Sequence, residues 1–317
     1  MSQFPPPRGP IDRTRTTFAM GTELEEVYDR LLGNPGVVFL LGGVDTGKTT
    51  FGIELVRRAT ELGIAAAIVD ADIAQSTVGP PTTVGLKLCS GIESFAREGL
   101  RQADGLGFVG AITPRGHLLS LVTATAKLVD RARAADCALI VVDTTSLVAG
   151  LHGQLLKFHK MELVEPDFVV AFERGEELEP LRGIAQRFTP ADVIKVGVGL
   201  DVAARSVEER MTFREEQFAA YFLTGVSRWR VKPMVFMPTL PPEFDLGLLE
   251  SIVVGMDDGK GTCVGIGVLE FDQSDGILRM ASPVSEGVRG LRLGSIKIDT
   301  GGRSKGPVSF TNLFRTE

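Results

Sequence analysis

The chain contains little cysteine and no apolar run long enough to span a membrane. Its three cysteines, Cys89, Cys137 and Cys263, lie far apart and form no C-x-x-C pair. Cys137 falls in an apolar strand pattern, so we expect a buried, inert thiol there rather than a metal ligand. The Pro-rich start MSQFPPPRGP has no signal-peptide core. We therefore expect a soluble protein of the reducing cytoplasm, with no membrane partner.

Acidic residues outnumber basic ones, with 40 Asp and Glu against 34 Lys and Arg. The formal net charge is −6 and the pI is near 5.3, which argues against bulk, sequence-independent binding to nucleic acid but leaves room for a local basic groove. The hydrophobic content of 44% is enough for a substantial core. The length of 317 residues predicts one large domain with a smaller one, or two domains.

A glycine-rich segment between a strand pattern and a helix pattern is the most informative motif. Residues 42–49, GGVDTGKT, fit G-x-x-x-x-G-K-[ST]. The residues before them, 37–41, are apolar and β-prone, as expected of a buried parallel strand. After them, four apolar residues fall on one helical stripe before the expected helix stop at Gly63: Phe51, Leu55, Ala59 and Leu62.

This motif predicts a nucleoside-triphosphate site for ATP and Mg²⁺. Backbone N–H groups would surround the phosphates, Lys48 would neutralise the β- and γ-phosphates, and the Thr49 hydroxyl would ligate Mg²⁺. The alternative is a glycine-rich turn without a ligand. The candidate nucleotide-binding residues are Gly42, Gly43, Val44, Asp45, Thr46, Gly47, Lys48, Thr49 and Thr50, with Gln75 further along the chain.

Strand and helix patterns alternate after this motif, which predicts an α/β P-loop NTPase fold with a parallel sheet flanked by helices. We expect strands at 64–69, 108–112, 138–142 and 167–172, and helices at 23–32, 118–135 and 155–164. Later, β-prone runs at 251–254, 262–269, 277–281 and 291–298 are separated by turn residues and predict a small antiparallel β module. The predicted division is an N-terminal arm and short helix (1–35), a kinase-like domain (36–240) and a C-terminal β module (241–317).

Acidic side chains follow two of the predicted strands. Asp70, Asp72 and Gln75 come after one strand, and Asp143 ends another. Ligands of open α/β sheets bind at this carboxyl edge. Phosphoryl transfer needs a carboxylate to position Mg²⁺ and, for a hydroxyl acceptor, one to receive its proton. Thr49, Asp72 and Asp143 are therefore the candidate metal ligands; the alternative for any single aspartate is a helix cap or a turn.

The sequence does not fit a nucleotide-switch GTPase. A D-x-x-G switch after Asp143 would need glycine where Ser146 stands. After the strand predicted at 167–172, Glu173-Arg174-Gly175 stands where a guanine-reading Asn-Lys-x-Asp would be expected.

Residues 205–222 predict a charged helix in which Arg210 and Arg214 project from one face. Kinases use arginines on a lid helix to neutralise charge on the transferring phosphoryl group. A solvated helix is the alternative, with the arginines paired to nearby acids: Glu208, Glu209, Glu215 and Glu216. Phe218, Tyr221 and Phe222 form an apolar patch that could anchor the end of this helix.

Five segments, taken in order, resemble the polynucleotide 5′-hydroxyl kinases: GGVDTGKTT, DADIAQSTVGPPTTVGL, FVGAITPRGH, VVDTTSLVAG and the arginine-rich helix ending in Tyr-Phe. That family is related to the pre-mRNA cleavage-complex kinase subunit and the rRNA-processing kinases. The resemblance covers about residues 36–230, and more loosely the β module.

The resemblance implies roles for individual residues. Lys48 and Thr49 would hold ATP and Mg²⁺, and Asp72, with Gln75 beside it, would activate the 5′-hydroxyl or order the metal. Arg210 and Arg214 would stabilise the transition state. Leu147 stands where the cleavage-complex enzymes carry an aromatic residue that stacks on the substrate base, so that stacking contact is missing here.

We therefore expect ATP-dependent phosphorylation of the 5′-hydroxyl end of RNA or DNA, with Lys48, Asp72, Arg210 and Arg214 as catalytic residues. One rival is an ATP-binding structural or assembly subunit of an RNA-processing complex with little turnover. Another is a small-molecule kinase with a closed acceptor pocket. A basic patch in the β module could follow phosphates or be an ordinary solvated face: Arg289, Arg292, Lys297, Arg303 and Lys305.

Overall fold

The computed structural model describes residues 22–89, 91–198 and 205–314. The predicted N-terminal arm, residues 1–20, lies outside them. The helices are α1 (Thr22–Gly33), α2 (Lys48–Glu61), α3 (Arg97–Arg101), α4 (Leu118–Ala134), α5 (Gly150–Val164), α6 (Glu179–Phe188), α7 (Val207–Phe222) and α8 (Phe310–Leu313). The strands are β1 (Val37–Gly42), β2 (Ala66–Ala71), β3 (Thr83–Cys89), β4 (Gly105–Phe108), β5 (Leu139–Thr144), β6 (Phe168–Glu173), β7 (Asp192–Gly197), β8 (Ser227–Arg230), β9 (Phe236–Met237), β10 (Ile252–Asp257), β11 (Cys263–Asp272), β12 (Ile277–Ser282), β13 (Gly290–Ile298) and β14 (Ser304–Pro307).

Five parallel strands form one end of the sheet, in the order β2-β5-β1-β6-β7, with β7 at the edge. Every residue of β1 is buried, because the strand is covered on both faces. Phe39 and Leu41 pack into one core with residues of α4, α5 and α6, whereas Val38 and Leu40 pack into another with α1 and α2. The predicted α/β architecture with helices on both faces is confirmed.

The sheet is mixed rather than wholly parallel. Strand β3, which the sequence analysis missed, runs antiparallel to β2, and β4 runs antiparallel to β3. The strand predicted at 108–112 was misplaced, because β4 ends at Phe108. Gly110 adopts φ 80° just beyond, and the N–H groups of Val109 and Gly110 both bond to the Thr82 carbonyl, so the chain turns out of the strand there.

The C-terminal β-prone runs form antiparallel strands, as predicted. Strand β10 pairs with β11 and β13, and β11 pairs with β12. Strands β8 and β9, which precede residue 241, pair with β12 and β13 respectively. The β11–β4 pairing joins this module to the central sheet. The division of the chain at residue 241 stays a prediction.

The helix after the glycine-rich loop buries three of its four predicted stripe residues, Phe51, Leu55 and Ala59. Leu62 is 66% exposed, so its assignment to the stripe was wrong. The helix ends at Glu61, so Leu62 lies beyond its last turn, and Gly63, with φ 75°, turns the chain immediately afterwards. Among the described residues, no helix combines the length and apolarity needed to cross a bilayer.

Candidate active site

The glycine-rich loop connects the end of β1 to the start of α2. Gly47 has φ 84°, a left-handed conformation that glycine adopts without strain, and α2 begins at the next residue, Lys48. At Gly42, a Cβ atom would lie 2.5 Å from the Thr46 hydroxyl oxygen and 3.0 Å from the carbonyl oxygen of Phe172. The loop is therefore tight, and it places the N-terminus of a 14-residue helix at the carboxyl edge of the sheet.

Lys48 folds across this loop. Its Nζ donates to the carbonyl oxygen of Gly43 at 2.7 Å and to the Thr46 hydroxyl at 3.3 Å. Burial lowers the pKa of Lys48, whereas Asp143 and Asp72 oppose that shift by favouring the ammonium form. The ammonium group thus lies among loop oxygens and carboxylates, where phosphate oxygens could replace the loop contacts.

Thr49 and Asp143 meet as predicted. The Thr49 hydroxyl donates to Asp143 Oδ2 at 2.5 Å. The other oxygen, Asp143 Oδ1, is buried without a hydrogen-bond partner in the part of the chain that the structure describes. Burial raises the pKa of Asp143, and the nearby Lys48 and the Thr49 hydrogen bond oppose the rise. A hydroxyl and an unused carboxylate oxygen are ligands suited to Mg²⁺.

These oxygens would form only part of a metal shell. Within residues 22–89, 91–198 and 205–314, no group of three or more His, Cys, Asp or Glu side chains is placed to hold an ion. Mg²⁺ commonly binds through one or two protein oxygens together with phosphate and water. The residues present therefore fit a nucleotide-bound Mg²⁺ better than a resident protein-bound metal.

Asp70 is saturated by the backbone. Its carboxylate accepts hydrogen bonds from the N–H groups of Asp72 (3.0 Å), Thr77 (2.6 Å) and Val78 (3.0 Å). Burial beside Asp143 raises the pKa of Asp70 to about 8, and the backbone donors oppose the rise. These contacts hold the loop that follows β2, which leaves Asp70 a scaffold role at this edge.

Asp72 and Gln75 occupy that loop. Asp72 Oδ1 accepts from the N–H groups of Ala74 at 3.1 Å and Gln75 at 3.2 Å, which is the turn that a strand-end aspartate often forms. Its second oxygen, Oδ2, takes no hydrogen bond from the described residues. Gln75 Nε2 donates to the carbonyl oxygen of Arg210 at 3.0 Å, so this loop touches α7.

The predicted charged helix is α7. Ser206 and Glu209 form a capping box at its start. Arg210 extends to the glycine-rich loop, where its Nη1 lies 3.3 Å from Asp45 Oδ2 and also donates to the carbonyl of Arg205 at 2.6 Å. Arg214 is half-buried with Glu215 nearby, and burial lowers its pKa. Arg210 is thus aimed at the loop by Asp45 rather than by the acids beside it in sequence.

The other end of α7 is anchored in the β module, as the apolar patch suggested. Phe218 and Phe222 are buried in a core with residues of β10, β11 and β13. The N–H of Ile266 donates to the Tyr221 hydroxyl at 3.0 Å. The helix therefore spans from the glycine-rich loop to the C-terminal module.

Sequence analysis missed three cations near the site. Arg174 donates to the carbonyl oxygens of Val44 (3.3 Å) and Asp45 (2.7 Å), which supports the loop. Lys157 and Lys160 of α5 are fully buried close to the aspartates. No sequence signal pointed to the two lysines, because the structure alone shows that they lie on the buried face of α5.

Leu147 and two residues of the basic patch make contacts within the protein. Leu147 is half-buried and packs against the hydrophobic core. In the basic patch, Arg292 pairs with Asp257 (Nε to Oδ2, 2.6 Å) and Lys305 donates to the Ser251 hydroxyl at 2.8 Å. These contacts favour the ordinary solvated face over a phosphate track at those two positions.

The fold and the loop define a P-loop NTPase with kinase-like strand-end carboxylates. Residues 42–224, more than half of the chain, match the family described as mRNA cleavage and polyadenylation factor CLP1 P-loop. The protein belongs to this family.

Similar proteins include archaeal enzymes. A polyribonucleotide 5′-hydroxyl-kinase of Thermococcus kodakarensis is 28% identical, over 86% of this chain and 91% of that protein. Another of Pyrococcus furiosus is 27% identical, over 93% of this chain and 98% of that protein. The structure of a wild-type Clp1p–Pcf11p complex contains a chain with a TM-score of 0.70 at 13% identity, covering 87% of this chain and 79% of that one. That last likeness confirms the fold.

Proposed function

We propose that this protein is a polynucleotide 5′-hydroxyl kinase that transfers the γ-phosphoryl group of ATP. The observation that carries the proposal is the presence of two differently engaged carboxylates near Lys48. Asp143 is bonded to Thr49, and Asp72 keeps an oxygen clear of hydrogen bonds from the described residues. The full-length similarity to proteins named polyribonucleotide 5′-hydroxyl-kinase supports an enzyme over an assembly subunit with little turnover.

The nucleotide would bind with its phosphates on the loop. The N–H groups at the start of α2 point toward that space, and Lys48 Nζ would exchange its loop contacts for the β- and γ-phosphates. Thr49 and Asp143 Oδ1 are the groups that would hold Mg²⁺. Bound there, Mg²⁺ would neutralise charge on the phosphates.

Asp72 would act on the acceptor. Its Oδ2 would take the proton from the 5′-hydroxyl as that oxygen bonds to the γ-phosphorus, while the bond from the γ-phosphorus to the β,γ-bridging oxygen breaks and ADP leaves. The hydrogen bonds from Ala74 and Gln75 to Oδ1 fix the carboxylate so that Oδ2 is the oxygen left for this step.

Arg210 and Arg214 would stabilise charge on the transferring group. Arg210 already reaches Asp45 within the loop, so its guanidinium lies beside the space where phosphates would sit. A guanidinium can donate two parallel hydrogen bonds to two phosphoryl oxygens in a fixed planar fork, a geometry that an ammonium group lacks. Asp45 would then orient Arg210 before the substrate arrives.

The names of the relatives favour RNA ends as the natural substrate class. The test is transfer of labelled γ-phosphate from ATP to matched RNA and DNA oligonucleotides that carry a 5′-hydroxyl, with free nucleosides and 5′-phosphorylated oligonucleotides as controls. We expect label on 5′-hydroxyl RNA and none on the blocked oligonucleotide. Label on nucleosides alone would support a small-molecule kinase, and no transfer to any acceptor would support the assembly subunit.

A further inference from the structure

Two lysines of α5 lie beneath the active site and have no part in the steps described above. The side chains of Lys157 and Lys160 are both 0% exposed. They are three residues apart in the same helix, which places them on one face. The rest of that buried face consists of small or apolar residues: Gly153, Leu156, Met161 and Val164. Two lysines in an apolar stripe are unusual, because lysine is almost never fully buried without a partner.

Lys157 connects three elements. Its Nζ donates to the Thr144 hydroxyl at 2.6 Å and to the carbonyl oxygen of Thr145 at 2.6 Å. The Thr144 hydroxyl in turn donates to the carbonyl oxygen of Leu40 in β1 at 2.7 Å. Since Thr144 directly follows Asp143, this chain of hydrogen bonds fixes the end of β5 against the strand that carries the glycine-rich loop.

Lys160 has a different environment. Its Nζ is buried without a hydrogen-bond partner in the part of the chain that the structure describes. Burial lowers the pKa of Lys160 to about 7, and Asp72, followed by Asp70 and Asp143, opposes the shift by favouring the ammonium form. The buried Lys160 amino group therefore interacts electrostatically with the aspartates at the carboxyl edge of the sheet.

Three acidic and three basic side chains interact electrostatically in this region. The acids are Asp70, Asp72 and Asp143, and the bases are Lys48, Lys157 and Lys160. Burying an ammonium group is costly, and apolar side chains of similar size often replace buried charges without loss of stability. Packing alone would thus favour methionine or leucine at both positions, so a role at the site explains the lysines better.

We propose that Lys157 and Lys160 are positioning residues for phosphoryl transfer, which hold Asp143 and Asp72 in their working arrangement. Lys157 does so through Thr144 and Thr145, and Lys160 through the interaction of its buried amino group with Asp72. This inference rests on the proposed kinase function. Neither lysine touches substrate in this account, so their removal should affect the chemical step more than nucleotide binding.

The test replaces each charge with a neutral side chain of similar length. In Lys160→Met we expect kcat to fall at least about tenfold, while the affinity for ATP and the KM for 5′-hydroxyl RNA stay within about twofold. Lys160→Gln, which is polar but uncharged, should lose kcat similarly. Lys127→Met is the matched control, because Lys127 is an exposed lysine on the neighbouring helix α4, and it should change neither quantity.

Lys157 is tested by a double-mutant cycle that combines Lys157→Met with Thr144→Val. Each single variant breaks the Lys157–Thr144 hydrogen bond, so the double variant should lose less kcat than the product of the two single losses. The activity of each variant is expressed per folded molecule, with the free energy of unfolding measured by urea denaturation. A role in stability alone would change that free energy and leave kcat per folded molecule intact.

A kcat for Lys160→Met and Lys160→Gln within about twofold of the wild type would overturn the role of Lys160, and multiplicative losses in the cycle would overturn that of Lys157. If the wild type itself transfers no phosphate to a 5′-hydroxyl, the proposed function fails instead. The two failures are therefore distinguishable in one assay.

Discussion

At the scale of single residues, hydrogen-bond partners distinguish three neighbouring aspartates. Asp70 is occupied by three backbone N–H groups. Asp143 uses one oxygen on Thr49 and keeps a buried oxygen without a partner among the described residues. Asp72 uses Oδ1 in its turn and leaves Oδ2 clear of the described residues. The three carboxylates should therefore respond differently to the same substitution.

The first prediction compares Asp72→Asn with Asp143→Asn. Asparagine is nearly isosteric but can neither accept the proton nor carry the charge. We expect Asp72→Asn to keep Mg²⁺-dependent ATP binding and lose about a hundredfold or more in transfer rate. Asp143→Asn should weaken ATP binding in Mg²⁺ but not in EDTA. Equilibrium titration measures ATP binding, and initial rates measure transfer. Full transfer in Asp72→Asn with loss only in Asp143→Asn would mean that the two aspartates have each other's role.

The second prediction concerns Lys48, which lies 2.7 Å from the loop carbonyl of Gly43. Lys48→Ala removes charge that should neutralise the phosphates in the transition state, so transfer should fall about a hundredfold or more. Its fold should persist, because the side chain faces the ligand space. Lys127→Ala serves as the surface control in the same rate measurement. A Lys48→Ala protein with half of the wild-type rate would contradict the site assignment.

The sequence was a good guide to residues whose position follows from local pattern. Lys48, Thr49 and Asp143 could be predicted together because the loop motif and the strand ends fix their places on one sheet edge. Lys157 and Lys160 could not be assigned in this way, because which face of α5 is buried depends on its packing against the sheet and α4. The spacing of apolar residues along a helix does not reveal which charged residues also lie on its buried face.

At the scale of elements, α7 is a bridge between two parts of the protein. Near its start, Arg210 contacts Asp45 and its carbonyl accepts from Gln75. At its end, Phe218 and Phe222 are buried in the core formed with the β module. Contacts at both ends therefore position α7 and hold Arg210 beside the glycine-rich loop.

The third prediction concerns this helix. If Arg210 and Arg214 contact the phosphoryl group only during transfer, alanine at either position should lower kcat with little change in ATP affinity. The double variant should lose less than the product of the single effects, and lysine should rescue only partly, since it lacks the guanidinium fork. Steady-state rates and nucleotide titrations decide, and unchanged turnover in all of these variants would remove α7 from the mechanism.

Helices and strands were predictable where the apolar residues of a segment follow a single helical or strand periodicity. The buried faces of α2 and α4 and the strands β1, β5 and β6 follow from such runs. Strand β3 was missed because its sequence, TVGLKLC, lies beside loop-like Pro-Pro residues and pairs antiparallel to β2. The early end of β4 depends on the left-handed conformation of Gly110, which the sequence does not specify.

At the scale of the whole molecule, one mixed sheet runs from the nucleotide-binding strands to the C-terminal module. Strand β4 pairs with β11 across Leu106 and Cys263. The N–H of Ser295 in β13 donates to the carbonyl of Gly110 at 2.7 Å. The Tyr221 hydroxyl adds a third connection through Ile266. The β module therefore contacts α7 near the C-terminal end of that helix.

The fourth prediction tests that contact. Tyr221→Phe removes the acceptor of the Ile266 N–H in a buried region, and an unsatisfied buried donor costs about 1–3 kcal/mol of unfolding free energy. Tyr28→Phe is the matched control, because Tyr28 is also buried but its hydroxyl bonds to none of the described residues. Urea denaturation of both variants gives the comparison, and equal stability losses would contradict the proposed role of the hydroxyl.

The central claim is that this site phosphorylates the 5′-hydroxyl of a polynucleotide. The most direct measurement is the initial rate of γ-phosphate transfer from ATP to an RNA oligonucleotide with a free 5′-hydroxyl, compared with the same RNA already phosphorylated at that end. The account predicts label at the free 5′ end only, dependent on Mg²⁺ and lost in Asp72→Asn. Equal labelling of both oligonucleotides, or labelling that survives in Asp72→Asn, would contradict it.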